Sequence, residues 1–105
     1  MAHTQEWYDT WQRPQPVHNE MTPWHWLALY PERLVIGQYV DIGEFTYIQA
    51  EEGIIVSDEV QIGSHCSLYS VNTIDGTRGP IHLKRNCKSG THSTIFPGVT
   101  VGENS

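Results

Sequence analysis

Three histidines, His65, His82 and His92, and four basic residues, Arg78, Lys84, Arg85 and Lys88, are the side chains here best equipped for chemistry. An imidazole changes charge near neutral pH, so each histidine is a candidate general base. Histidines gathered at one place could also begin a metal site, provided that they converge. The four cations fall between positions 78 and 88 of a chain whose formal charge is −6. A basic patch on an acidic protein focuses anions, and arginine suits bidentate contacts to phosphate. The same four residues read equally as a solvated rim. The net acidity argues against nucleic acid as a partner, because phosphate neutralisation dominates that affinity.

A repeat must position these groups. From Ile36 an aliphatic residue recurs every six positions: Ile36, Ile42, Ile48, then Val56, Ile62, Leu68, Ile74, then Leu83, Ile95 and Val101, with a lapse at Ser89. Glycine often follows it, at Gly37, Gly43, Gly63, Gly90 and Gly102. Two residues before it stands a small or β-branched side chain: Val40, Thr46, Val60, Cys66, Cys87, Ser93 or Val99. A period of six fits neither an amphipathic helix nor a plain alternating strand. It fits short strands joined by tight turns, three to a coil of about 18 residues, stacked into a parallel β-helix. The aliphatic and the small residue then both face inward, and glycine is expected to supply a positive-φ turn. Two extra residues near Glu51-Glu52-Gly53 and about nine at Asn72–Pro80 interrupt the repeat. Both should sit at coil corners, the second as a protruding loop with Asn72 and Asp75 as its polar candidates.

The repeat phase sorts the rest. His65 and His92 share one phase and Phe45 holds it a coil earlier, so the three rings should stack at one corner. Such a ladder could serve as a base or metal site, or simply support a subunit interface. His82 should point outward beside the basic cluster, while His3, His18 and His25 lie outside the repeat as surface or packing residues. Cys66 and Cys87 are expected to be reduced core residues on different faces. Residues 1–33 hold all four tryptophans, Trp7, Trp11, Trp24 and Trp26. Thr4 can cap a helix carrying Trp7 and Trp11, and Thr22-Pro23 suits the start of a second helix ending before Pro31. This segment is expected to lid the open bottom of the β-helix, residues 34–105, or to pack on a neighbour. An aromatic ligand site is the alternative. With 105 residues the chain makes one domain with a modest core, which an oligomer would support. No long apolar run or signal sequence is evident, so a cytoplasmic location away from membranes is expected.

The stretch Leu34–Ser105 resembles the hexapeptide-repeat acyltransferases, most tellingly at Val60-Gln61-Ile62-Gly63-Ser64-His65-Cys66-Ser67-Leu68-Tyr69-Ser70 and Ser93-Thr94-Ile95-Phe96-Pro97-Gly98-Val99-Thr100-Val101-Gly102-Glu103-Asn104-Ser105. The resemblance is nearest in look to enzymes that acetylate the amino group of nucleotide-linked sugars. It implies an all-β, left-handed parallel β-helix of about three coils, a homotrimer, acetyl-CoA as donor, a nucleotide-sugar acceptor and no metal. It also implies catalytic candidates Asn72, Asp75, His82 and His92, with Arg78, Lys84, Arg85, Tyr69 and His65 binding substrate or CoA. The loop lacks the histidine of many sugar O-acetyltransferases, and Asn72 stands near where some N-acetyltransferases keep an asparagine. Family members usually continue with a further coil that holds much of the CoA. The sequence stops at Ser105, so the final coils are expected to be missing, and a non-catalytic scaffold or a subunit completed by a partner is the alternative. The γ-class carbonic anhydrases share the fold, but His65, His82 and His92 lack the close same-coil pair which that class uses.

Overall fold

The computed structural model describes residues 3–105. One short helix, α1 (Gln5–Thr10), and a 3-10 turn at Pro31–Arg33 are its helical parts; the rest is strand, turn and loop. The strands run to two or three residues each: β1 (Glu20–Met21), β2 (Leu27–Leu29), β3 (Leu34–Ile36), β4 (Asp41–Ile42), β5 (Tyr47–Gln49), β6 (Ile54–Val56) and β7 (Gln61–Ile62), followed by β8 (Ser67–Tyr69), β9 (Val71–Asn72), β10 (Thr77–Arg78), β11 (Ile81–Leu83), β12 (Lys88–Ser89), β13 (Thr94–Ile95) and β14 (Thr100–Val101). The protein is all-β.

Three parallel sheets are built in rotation. The first holds β3, β6, β11 and β14, the second β4, β7 and β12, and the third β2, β5, β8 and β13, with β1 added antiparallel at its edge. The chain visits them in the same order on every circuit. Leu34 pairs with Ile54, Ile54 with Ile81, and His82 with Thr100, so the register advances by 20, then 27, then 18 residues. The excesses of two and nine over a circuit of 18 are the two expected insertions, and both lie between the third sheet and the first.

This register puts the hexad aliphatics on top of one another. Ile36, Val56, Leu83 and Val101 make one column, Ile42, Ile62 and Ser89 a second, and Ala28, Ile48, Leu68 and Ile95 a third. The aliphatics among them meet in one core with Val40, Val60, Cys66 and Cys87, Val101 packing at its margin. Removing each such aliphatic side chain from water is worth about 1.5–3 kcal/mol. Both cysteines are free and buried, ahead of β8 and β12 respectively, and burial pushes the Cys87 thiol pKa up.

Four expectations fail. Ile74, expected to point inward, is exposed at the loop tip. The inward column resumes instead at Leu83, level with Val56, because the insertion breaks the phase after Leu68. The glycines after the aliphatics do not supply the left-handed turn. Tyr39, Phe45, Glu59, His65, Asn86, His92 and Asn104 do, at φ near 60°, each two residues beyond a glycine or its equivalent. What Gly63 provides is room, since a Cβ there would lie 2.7 Å from the amide nitrogen of Thr91 in the next circuit. Gly98, by contrast, does take the turn conformation, with φ 80°. The second helix is also absent. Trp26 and Ala28 alternate inward, and Leu27–Leu29 pairs as a strand with Tyr47–Gln49; the ladder of an existing sheet outweighs the Thr22-Pro23 cap signal. Consequently His25 lies inside the stacking pattern and not outside it. It has φ 64°, and its carbonyl accepts from the Phe45 amide.

The first helix forms as expected, with the Thr4 hydroxyl accepting from the Trp7 amide. Its segment covers the edge of the first circuit. The Trp11 indole donates to the Val40 carbonyl at 2.8 Å, and the Arg13 guanidinium to the Ile36 carbonyl at 3.0 Å. Both carbonyls belong to the β3–β4 rim, where no further strand lies beyond. Side-chain donors thus serve acceptors that a neighbouring strand would otherwise satisfy.

Candidate active site

The nine-residue insertion folds as a hairpin, β9 against β10, standing over the outer face of the third sheet. Its turn is held from within. The Asn72 side-chain oxygen accepts from the Ile74 amide at 3.1 Å, and Asp75 accepts from both the amide and the hydroxyl of Thr77. Those two bonds hold the Asp75 carboxyl below its ordinary pKa. Asn72 and Asp75 therefore shape the loop that carries them.

Beneath the hairpin lies a groove of about 470 Å³, walled by Ile74 and Phe96 and floored by Tyr47, Tyr69, Gln49 and Asn72. Tyr47 and Tyr69 occupy adjacent strands of the third sheet, and their ring centres are 5.5 Å apart. Burial first, and the neighbouring Tyr69 phenol second, raise the Tyr47 pKa above its ordinary value. Tyr47 is therefore a hydrogen-bond donor near neutral pH, not a base. Two phenols, an amide and apolar walls suit a flat or cyclic ligand with hydroxyl groups.

A polar network at the hairpin's base fixes it to the circuit below. The buried Ser70 hydroxyl lies 2.8 Å from the Gln49 carbonyl and 2.9 Å from its side-chain oxygen, and it accepts from the Glu52 amide. Arg78 reaches Glu52 at 2.8 Å and Glu51 at 3.0 Å. The hydrogen bond from Arg78 holds the Glu51 carboxyl below its usual range, and the two carboxylates raise the Arg78 pKa in turn. Gln49, Glu51, Glu52 and Ser70 were not singled out from sequence. The readable signal was a pair of acids in the short insertion, one circuit before an arginine in the long one.

The expected basic cluster divides. Arg78 stands at the corner between the third and first sheets, engaged by two carboxylates. Lys84 and Arg85 follow β11 at the next corner, where Arg85 lies 3.4 Å from Glu59, and Lys88 begins β12. None of the four lines the groove.

The histidines divide likewise. His65 and His92 stack at the corner between the second and third sheets, ring centres 4.8 Å apart and planes within 15°, with Phe45 5.2 Å from His65. This is the ladder that the repeat phase implied. His82 is on the outer face of the first sheet, half-buried, its Nε2 3.2 Å from the Ser57 hydroxyl. Ser57 is a partner that the sequence did not announce. The structure thus brings Tyr69 and Asn72 together and His65 and His92 together, but leaves His82 apart from both pairs. Among the described residues, no three His, Cys, Asp or Glu side chains form a metal-holding group. No helix among them is long and apolar enough to cross a membrane.

Comparison of the chain with protein-family models, curated proteins and solved structures finds no match.

Proposed function

We propose that the three parallel sheets are the faces of one left-handed parallel β-helix, and that the protein is an acetyl-CoA-dependent acyltransferase acting on a nucleotide-linked amino sugar. The observation that carries this reading is the nine-residue hairpin, placed at a corner of an otherwise regular stack and overhanging a groove floored by Tyr47 and Tyr69. The paired rings offer a stacking platform and phenol donors for the acceptor. Acyl transfer needs a base for the attacking amine and a donor for the oxyanion on the thioester carbonyl. His82 is the preferred base, because one ring nitrogen is held by Ser57 while His92 is exposed and stacked on His65. In a homotrimer the His82 face and the Lys84–Lys88 corner of one copy could meet the groove of the next, adding the cations that a single groove lacks.

The test is release of the CoA thiol from acetyl-CoA in the presence of a panel of nucleotide amino sugars, with thermal shift under the same ligands. Acyl transfer with at least one acceptor is expected, and His82→Gln should lower kcat about a hundredfold or more at unchanged melting temperature. Neither thiol release nor a thermal shift with any of them would end the transferase reading.

A second reading is a non-catalytic module. It is favoured by the way Asn72, Asp75 and Arg78 are occupied with holding their own loop. Correct folding of the hairpin without any ligand response would support it.

A further inference from the structure

The tryptophan-rich cap encloses a second cleft, of about 330 Å³, at the end of the molecule formed by α1 and the β3–β4 rim. Trp7, Trp11, Trp24 and Trp26 all contribute to its wall, together with Thr10 and Asp41. Trp26 is a buried floor with 1% of its surface exposed, whereas Trp24 is 45% exposed at the mouth. No lysine or arginine lines the cleft, and Asp41 is its one charged wall residue. Among the described residues only His3 comes within ion-pair distance of that carboxylate, its Nε2 at 3.2 Å but not aligned for a hydrogen bond. Outside the cleft lining, the Arg13 guanidinium carbon lies 5.6 Å from the centre of the Trp11 ring, and the His3 imidazole stacks on Trp7 with ring centres 3.6 Å apart.

We propose that this cleft binds a small organic cation of the quaternary or methylated ammonium class. Indole faces attract a diffuse positive charge through their quadrupole, and do so more strongly where water is displaced. A carboxylate at the wall adds an attraction that a neutral guest of the same shape would not feel. This site is independent of the groove and of the transferase reading.

The experiment titrates the full chain with tetramethylammonium and choline, read by calorimetry and by the indole N–H resonances in nuclear magnetic resonance. The control is 3,3-dimethylbutan-1-ol, the neutral isostere of choline. Saturable binding of the cations is expected, with the isostere about tenfold weaker. Asp41→Asn should weaken cation binding several-fold while the Trp11 indole resonance, fixed by the Val40 carbonyl, stays in place. Three results would overturn the proposal: no saturable response, equal binding of the neutral isostere, or cation binding by Asp41→Asn as tight as by the unaltered chain.

Discussion

Gly63 and Glu59 pose opposite steric problems. Gly63 has an ordinary φ but no space, with backbone atoms of Ser89, Gly90 and Thr91 within about 3 Å of where a Cβ would sit. That paired backbone cannot easily yield, so Gly63→Ala should cost about 1–3 kcal/mol in chemical denaturation. Glu59 has space but a left-handed backbone, φ 62°, which a long side chain tolerates poorly. Its ion pair with Arg85 is long, at 3.4 Å, and exposed pairs contribute little. Glu59→Asn should therefore be neutral or stabilise by up to about 1 kcal/mol, since asparagine accepts that conformation more readily. A loss beyond that in the same denaturation series would show that the Arg85 contact matters more than the backbone.

At the level of the element, the hairpin owes its position to Arg78 and the two glutamates below it. A carboxyl held below its ordinary pKa stabilises the folded contact above the unfolded-state value, and that contribution disappears as pH falls through the lower, folded value. For Glu51 the ordinary value is 4.5, so the anchor should weaken only below that pH. Amide exchange in residues 71–79 should accelerate there, and Arg78→Ala should bring the same acceleration at neutral pH without loosening β8 or β11. The corner insertions were legible beforehand because a strict period makes any excess residue visible. The anchors were not, because Gln49 and Ser70 meet across a full circuit, and no local pattern marks that contact. The Thr22-Pro23 signal misled for a related reason. Capping chemistry is local, whereas the sheet edge that recruits Leu27–Leu29 is supplied by residues 20 positions further on. Likewise Ile74 keeps the hexad spacing but lies in inserted chain, where the spacing has no spatial meaning.

For the whole molecule, Leu68 is the informative position. It is fully buried between Ile48 and Ile95 in the column that also includes Ala28. Leu68→Ala should cost about 2–5 kcal/mol. A domain of this size is stable by only about 5–15 kcal/mol, so the loss should appear as a single cooperative shift in thermal unfolding. A partial transition that spared one end would show that the circuits melt independently. The common register of the columns has a further consequence. Each circuit presents to the next the same pattern of backbone donors and inward side chains that it received, so nothing within the stack fixes how tall it must be. Copying residues 54–80, which span one turn of the register from Ile54 to Ile81, should add a storey rather than disrupt the building. The copy would carry its own hairpin, and with it a duplicate overhang on the same side of the tower.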